Sequence, residues 1–403
     1  MVSQAHVLVT DGDERAALAV TRGLGIAGIP VIVGAENETS LAGASRYCVK
    51  KWRYPSPLVD PKKFVESIKK AIQLNDISKV IAVTDSTTQV LADAKEELGS
   101  VASTIPSPGP YNAVSDKYRL MQLAKQLDIP IPDTVFVPDG NLGRVGDRIL
   151  QYPLVVKPGR SLLQMDGKWI KTNVHFISTR EELVELYRGT PYIQNPSLIQ
   201  ERIEGKGEGI FGLFDHGRPC ALFAHRRIRE KPPAGGVSVL RESIALPKPM
   251  TDYAVRLLEH VKWHGVAMVE FKTDRRSGIP MLMEVNGRFW GSLQLAIDAG
   301  LNFPSLLHKL ANGGHVTMPE NSYRIGTKSR WLLGDLDHLI LRMTKSNKEL
   351  NLSADAPSRF RCLMDFFKFF QSDLHYEVER WKDMGPSFVE YGVWLRHITG
   401  KLA

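Results

Sequence analysis

Two apolar runs, VAMVEFKTD (266–274) and MLMEVNGRF (281–289), flank RRSGIP, a short connection whose Ser277-Gly278 pair is turn chemistry. The natural reading is a β-hairpin, which fixes what its charged residues must face. With the hairpin centred on residue 277, Glu270 and Glu284 stand opposite each other. Side chains alternate along a strand, so Glu284, Asn286 and Arg288 share that face. Two carboxylates about 4 Å apart repel by about 4 kcal/mol at an intermediate dielectric, so a sheet that keeps them together needs a compensating cation. Oxygen donors without His or Cys favour Mg2+ or Mn2+, with Glu270, Glu284 and Asn286 as ligands. The alternative is a solvated strand face on which Arg288 pairs with Glu284.

The beginning of the chain follows a different rule. AHVLVTD reads as a strand ending in an acid, ERAALAVTRGLGIAG as a helix and IPVIVGAE as a second strand. PKKFVESIKKAIQLND is helical, KVIAVTDS is a strand with its polar residues at the carboxyl end, and TTQVLADAKEEL is helical again. This alternation predicts an α/β domain over 1–112, an open parallel sheet with helices on both faces. Gly12 is alone after the first strand, so the G-x-G-x-x-G of a dinucleotide site is missing.

STIPSPGPYN, with three prolines and a glycine, reads as a linker. After it come the helix AVSDKYRLMQLAKQLDIP, a strand in YPLVVKPGR, two strands in SLIQERIEGKGEGIFGLF and another in GRPCALFAHRRIRE. With the hairpin they predict α+β layers over 113–330. From about Trp331 the chain turns to the helical stretches DLDHLILRM, FRCLMDFFKFFQSDL and VEYGVWLRHITGK. Their aromatic and basic residues fit a helical cap, a partner surface or an interfacial membrane helix, and apolar residues at helical spacing favour the cap.

Composition narrows the function classes. A chain of 403 residues, 43% hydrophobic, can bury the cores of two or three domains. No apolar run reaches the roughly eighteen residues that span a bilayer. MVSQAHVLVTDGDE lacks the basic head and apolar stretch of a signal peptide, so a cytoplasmic location is expected. Cys48, Cys220 and Cys362 form no CxxC pair, which argues against zinc, disulfide and redox motifs. Fifty-two Lys+Arg against 44 Asp+Glu give a net charge of +8, which suits an anionic ligand such as a nucleotide. The cluster HRRIREK (225–231) has no zinc-finger spacing or RNP-like aromatic run beside it, so no nucleic-acid partner is expected. Arg227 and Arg241, flanking the flexible PPAGG turn, are suited to an anionic substrate because arginine forks grip carboxylates and phosphates in two-pronged fashion. A solvated basic hairpin is the alternative.

In their order and spacing the elements from about 113 to 330 resemble the ATP-grasp superfamily, nearest its carboxylate–amine ligase and carbamoyl-phosphate-synthase-like branch. Lys117 follows SD at the start of a helix, Lys157 ends the strand LVVKP, Glu201 stands in IQERIEG with Glu208 seven residues on, and VEF and MEVNGR close the series. The resemblance implies a pre-ATP-grasp domain over 1–112, a two-subdomain ATP-grasp fold over 113–330 with ATP between its subdomains, and a helical extension over 331–403. It implies Lys117 and Lys157 on the phosphates, Glu201 with the backbone of Arg202 and Ile203 at the adenine, and Glu208 on the ribose. It puts Mg2+ or Mn2+ on Glu270, Glu284 and Asn286, and Arg288, Arg227 and Arg241 near the reacting groups.

The reaction implied by this likeness is ATP-dependent joining of a small carboxylate to an amine through an acyl phosphate, and a homodimer is compatible with it. Many members carry a glycine-rich loop after VVKP. Here GRSLLQMDGKWIKTNVHF has few glycines, which leaves Arg160, Lys168 and Lys171 to cover the phosphates or closure to work differently. An ATP-grasp enzyme with a non-amine nucleophile such as bicarbonate, and a non-catalytic ATP-binding sensor or scaffold, are the alternatives.

Overall fold

Continuous apolar runs build the first sheet, as expected of strands covered on both faces. The computed structural model describes residues 5–145, 151–165, 168–317, 322–352 and 356–402. Strands β1 (His6–Val9), β2 (Val31–Ala35), β3 (Cys48–Arg53) and β4 (Ile77–Ile81) pair in parallel in the order β3-β2-β1-β4. Val7 and Val31 face the helix Arg15–Ile26, while Leu8 and Ile32 face Phe64 and Ile68 of the helix Pro61–Leu74. β3 is an addition to the expected order. Its CVKKWR is charged and mostly exposed, which suits an edge that must not recruit another strand.

The acid that closes β1 has a structural task. The Asp11 carboxylate accepts from the backbone N–H of Val83 and Thr84 and from the Thr87 hydroxyl. It thereby fixes the carboxyl end of β4 and the start of the helix Asp85–Asp93, which Thr84 caps.

The proline-rich stretch read as a linker is helical from Pro108, where Pro108–Ser115 begins with proline in its first turn, a position with no N–H to lose. The single helix expected beyond it breaks at Asp116. That carboxylate accepts from the N–H of Tyr118 and Arg119 and starts a second helix, Lys117–Gln126, so Lys117 is a first-turn residue.

A small lobe follows, built from β5 (Thr134–Val137), β6 (Leu154–Pro158), the ribbon β7 (Leu162–Met165) and β8 (Lys168–Lys171), β9 (His175–Ile177) and β10 (Ser197–Glu201). Its antiparallel sheet runs β5-β10-β6-β9. The large sheet comprises β11 (Gly205–Asp215), β12 (Arg218–Lys231), β13 (Val237–Ile244), β14 (Gly265–Asp274), β15 (Pro280–Asn286), β16 (Lys328–Arg330) and β17 (Leu374–Tyr376). Its order is β15-β14-β11-β12-β13-β16-β17. One face carries Phe211, Leu213, Phe223 and Met268 into the core shared with the helix Arg15–Ile26. The other packs Ile210, Phe271, Leu282 and Val285 against the helices Lys117–Gln126 and Lys248–His260. Mixed α/β and α+β layers are therefore present as expected.

The C-terminal part is mainly helical, and its helix Leu332–Thr344 lies over β12 and β13. The helix Arg359–Phe366 packs on that one through Cys362 and Phe366 and leaves Phe360, Met364 and Phe367 exposed. The extension also supplies a strand, since β17 pairs in parallel with β16. Among the described residues no helix is long and apolar enough to cross a membrane.

Candidate active site

The β14–β15 hairpin sets Glu270 directly opposite Glu284, with Val269 opposite Val285 and Met268 opposite Asn286. Nearer the turn the pairing shifts by one, with Phe271 opposite Leu282, so Met283 is an extra residue. Leu282 and Val285 are three apart, yet both reach the core, which an unbroken strand forbids and a bulge permits. On the opposite face Glu270 looks across β11 at Gly209, and Lys272 at Gly207. The glycines leave that strip bare of side chains. Arg227 uses the gap: its side chain passes over Gly207, where a Cβ would come within 3.0 Å of Arg227 Cδ, and pairs with Glu270 at 2.5 Å. Glu230 holds the same guanidinium at 2.8 Å.

Glu284, Asn286 and Arg288 form one hydrogen-bonded chain. Asn286 Nδ2 donates to Glu284 Oε1 at 3.1 Å, and Arg288 Nη2 donates to Asn286 Oδ1 at 2.9 Å. Lys117 Nζ lies 3.8 Å from Glu284 and donates to Ser161 Oγ at 2.9 Å. Burial raises the Glu270 carboxyl to about 7, and the nearby Glu284 charge adds to the rise while Arg227 opposes it. For Glu284 burial pushes upward too, but Lys117, Asn286 and Lys157 hold it below the ordinary value. Burial lowers the Lys157 ammonium to about 8, against the pull of Glu284. Two carboxylates facing across a ladder, with two lysines beside them, make a centre that a divalent cation and phosphates would complete.

A cleft opens over this centre, bounded by Lys117, Arg160, Glu284 and Asn286 and, from the first domain, by Asp85 and Gln89. Where the sequence lacks a glycine-rich loop, the β7–β8 ribbon brings Leu162 and Trp169 to the cleft wall. Arg160 is partly committed, donating to Asp116 at 3.2 Å. The side chain of Lys168 lies outside the described residues.

Asp85 and Lys272 were missed by sequence reasoning. Arg288 grips Asp85 with Nε at 2.7 Å and Nη2 at 2.8 Å. Burial pushes the Asp85 carboxyl upward, but Arg288 and Lys117 hold it below its ordinary value. The polar carboxyl end of KVIAVTDS was the signal for Asp85, while the alternation E-F-K puts Lys272 on the Glu270 face.

Asp215, His216 and His264 form a separate cluster with metal-ligating potential. Its two imidazoles lie stacked at 4.5 Å and Arg218 holds the second oxygen of Asp215 at 3.3 Å, which accounts for the grouping without an ion.

Residues 195–330 match the family described as ATP-grasp in the biosynthetic pathway with Ter operon, a stretch that contains the whole β14–β15 hairpin. That stretch is similar to the ATP-grasp family, and the chain shares the fold of ATP-grasp enzymes. Solved structures share its fold. An L-amino acid ligase from Bacillus licheniformis superposes with a TM-score of 0.62 at 16% identity, covering 81% of this chain and 79% of that one. The biotin carboxylase domain dimer of Hydrogenobacter thermophilus 2-oxoglutarate carboxylase, in complex with MgADP, ADP and bicarbonate, gives 0.62 at 14% identity over 81% of this chain and 74% of that one. N5-carboxyaminoimidazole synthetase from Staphylococcus aureus gives 0.58 at 12% identity over 80% of each. No curated protein matches the sequence.

The residues expected around the base are spread along the β10–β11 connection. Glu201 ends β10, where it accepts from Asp133 N at 3.3 Å and pairs with Arg276 at 3.2 Å. Arg202 donates to Asn351 O at 2.5 Å, and Ile203 is buried. Glu208 is not brought to the Glu270 face. It pairs with Phe271 and accepts from Thr273 Oγ1 at 2.6 Å, so it projects from the opposite side of the sheet.

The basic cluster is not a solvated hairpin. Arg226 pairs with Glu242, Arg227 with Glu270, Arg229 with Asp335 and Lys231 with Asp337. Arg241 is fully buried and its Nη2 donates to Glu377 of the C-terminal part.

Proposed function

We propose that this chain is an ATP-dependent carboxylate–amine ligase working through an acyl phosphate, with domains dividing near residues 112 and 330. The observation that carries the reading is the opposed Glu270–Glu284 pair, with Asn286 beside it and Lys117 and Lys157 around it, under a cleft whose wall residues Asp85 and Asn286 hold Arg288. Lys117 and Lys157 hold the phosphates as compact point charges. Glu201 and the backbone of Arg202 and Ile203 read the base, while Glu208, on the face of the sheet away from Glu270, takes no part in this reading. The substrate carboxylate attacks the γ-phosphorus, the bond to the β-phosphate oxygen breaks and ADP leaves. The neutral amine then attacks the acyl carbon and phosphate departs with the electrons of the broken C–O bond. Positioning and charge stabilisation suffice for both steps, with Arg288 facing the developing oxyanion.

Mg2+ or Mn2+ fits the donor set. Glu270, Glu284 and Asn286 offer oxygen at adjacent ladder positions, and the raised Glu270 carboxyl marks a negative charge in want of a cation. Such an ion supplies charge neutralisation on the phosphates.

The test is ADP and phosphate release from Mg-ATP over amino acids, dipeptides and small hydroxy and keto acids, with and without an amine or bicarbonate. Release that needs an acid and an amine together supports the ligase. Release that needs bicarbonate supports a carboxylase, and ATP binding without turnover supports a sensor.

A pH dependence follows from Lys157. Its free-state value of about 8 is raised when phosphates favour the charged form. Binding is therefore strongest below pH 8 and weakens as pH rises through it, by about tenfold between pH 7 and 9. Calorimetric titration with a non-hydrolysable ATP analogue measures this. Lys157→Arg, which does not titrate there, is expected to flatten the profile.

A further inference from the structure

We propose that Asp85 receives the ammonium of the amine substrate and becomes free to do so when Arg288 turns to the acyl phosphate. This rests on the ligase reading above and names the class of its second substrate, a cationic amine such as an amino acid's amino group.

A guanidinium has five N–H groups, and Arg288 spends four of them, on the two oxygens of Asp85, on Asn286 Oδ1 and on Phe289 O. With one N–H left it cannot offer a two-pronged grip to a phosphate or oxyanion while it keeps Asp85. An acyl phosphate that engages Arg288 therefore releases a carboxylate into the cleft.

That carboxylate is well placed. The Asp85 side chain keeps 35% of its surface exposed despite the ion pair, and it lines the same cleft as Lys117, Glu284 and Asn286. Among the described residues lining the cleft, Asp85 and Glu284 are the acids, and Glu284 already answers to Asn286 and Lys117. Gln89 lies one helical turn from Asp85 and lines the cleft too, so the helix Asp85–Asp93 presents an acid and an amide together. Lys117 and Arg160 on the remaining walls favour anions. Asp85 is thus the group that can hold a positive charge next to the activated carbonyl and repel a second anion such as bicarbonate. The held ammonium gives up one proton to solvent before it attacks as the neutral amine, and the second N–H proton leaves with the departing phosphate.

The experiment compares two nucleophiles on one acid taken from the screen. Hydroxylamine is uncharged near pH 7.5 and traps an acyl phosphate as a hydroxamate, whereas an ordinary amine arrives as an ammonium. Asp85→Asn is expected to lower the ratio of amide to hydroxamate formed by about 30-fold, the range of one charge-assisted hydrogen bond. It should do so through the amine KM, and Asp85→Glu should restore much of the ratio. If Asp85→Asn lowers both products alike, Asp85 only positions Arg288 and the proposal fails; an unchanged ratio sinks it as well. A wild-type protein that makes neither product defeats the ligase reading itself, a result distinct from either. Thermal melts of both variants separate misfolding from lost recognition.

Discussion

Glu284→Gln is expected to lower acid- and amine-dependent ADP release by about a thousandfold or more, the largest effect of any single change in the cleft. The side chain does three things at once. It faces Glu270 across the ladder, accepts from Asn286 and lies 3.8 Å from Lys117. A glutamine keeps the shape and can still accept from Asn286, so the fold should survive. What disappears is one of two negative charges available to a divalent cation, together with the anion that keeps Lys117 and Lys157 facing this strip. The same loss should raise the Mg2+ concentration needed for half-maximal rate by about 10–100-fold. Steady-state rates over a magnesium titration, with thermal melts alongside, check both parts. A variant within tenfold of wild type at saturating magnesium would remove Glu284 from the proposed metal set.

Glu270→Gln differs physically. Its carboxylate is paired with Arg227, which keeps Glu230 as a second partner, so part of the local charge balance is retained. The two glutamates were nevertheless the most legible feature of the sequence. A turn between two apolar runs fixes register to within a residue, and register alone put 270 opposite 284. What the pattern hid was how. The bulge at Met283 answers to the core's demand for both Leu282 and Val285, and a demand of tertiary packing leaves no local trace.

Other differences have the same root. Asp116 breaks a helix that periodicity alone would continue, because one carboxylate satisfies two N–H groups of the following turn. The glycine-poor stretch after VVKP forms a ribbon whose strands show no strong alternation, although Asp166-Gly167 between them is a hairpin turn signal in the sequence. Asp85 and Arg288 are 203 residues apart, and ion pairs at that range are invisible to windows of ten or twenty residues. β17 is three residues long, too short to show a period of two.

Arg241 carries the last expectation, because its surroundings give it a structural task beside the substrate role expected of it. The guanidinium is fully buried, and its Nη2 meets the same Glu377 oxygen that Arg15 Nη1 reaches at 2.6 Å. Arg15 belongs to the first domain and stacks over Trp331, while Glu377 follows β17, so one carboxylate ties three regions of the chain together. Burial pushes the Glu377 carboxyl upward, but Arg15 and Arg241 hold it below the ordinary glutamate value. A depressed value means that the tie contributes stability at neutral pH, which is lost as the solution is acidified through the folded-state value. Glu377→Ala would leave two guanidiniums without their anion, one of them with no access to water, and is expected to cost about 3–5 kcal/mol at pH 7.5. The deficit should shrink in acid, where wild type loses the same charge. Arg241→Met combined with Glu377→Leu removes the fully buried cation with its anion, and is expected to recover part of the loss, because the apolar pair needs no compensation while Arg15 keeps some access to water. Urea denaturation of the three proteins at pH 7.5 and pH 4 reads all of this. A single variant within 1 kcal/mol of wild type would free Arg241 from the tie and return it to the substrate side, where a raised KM for the acid in a folded double variant would point independently.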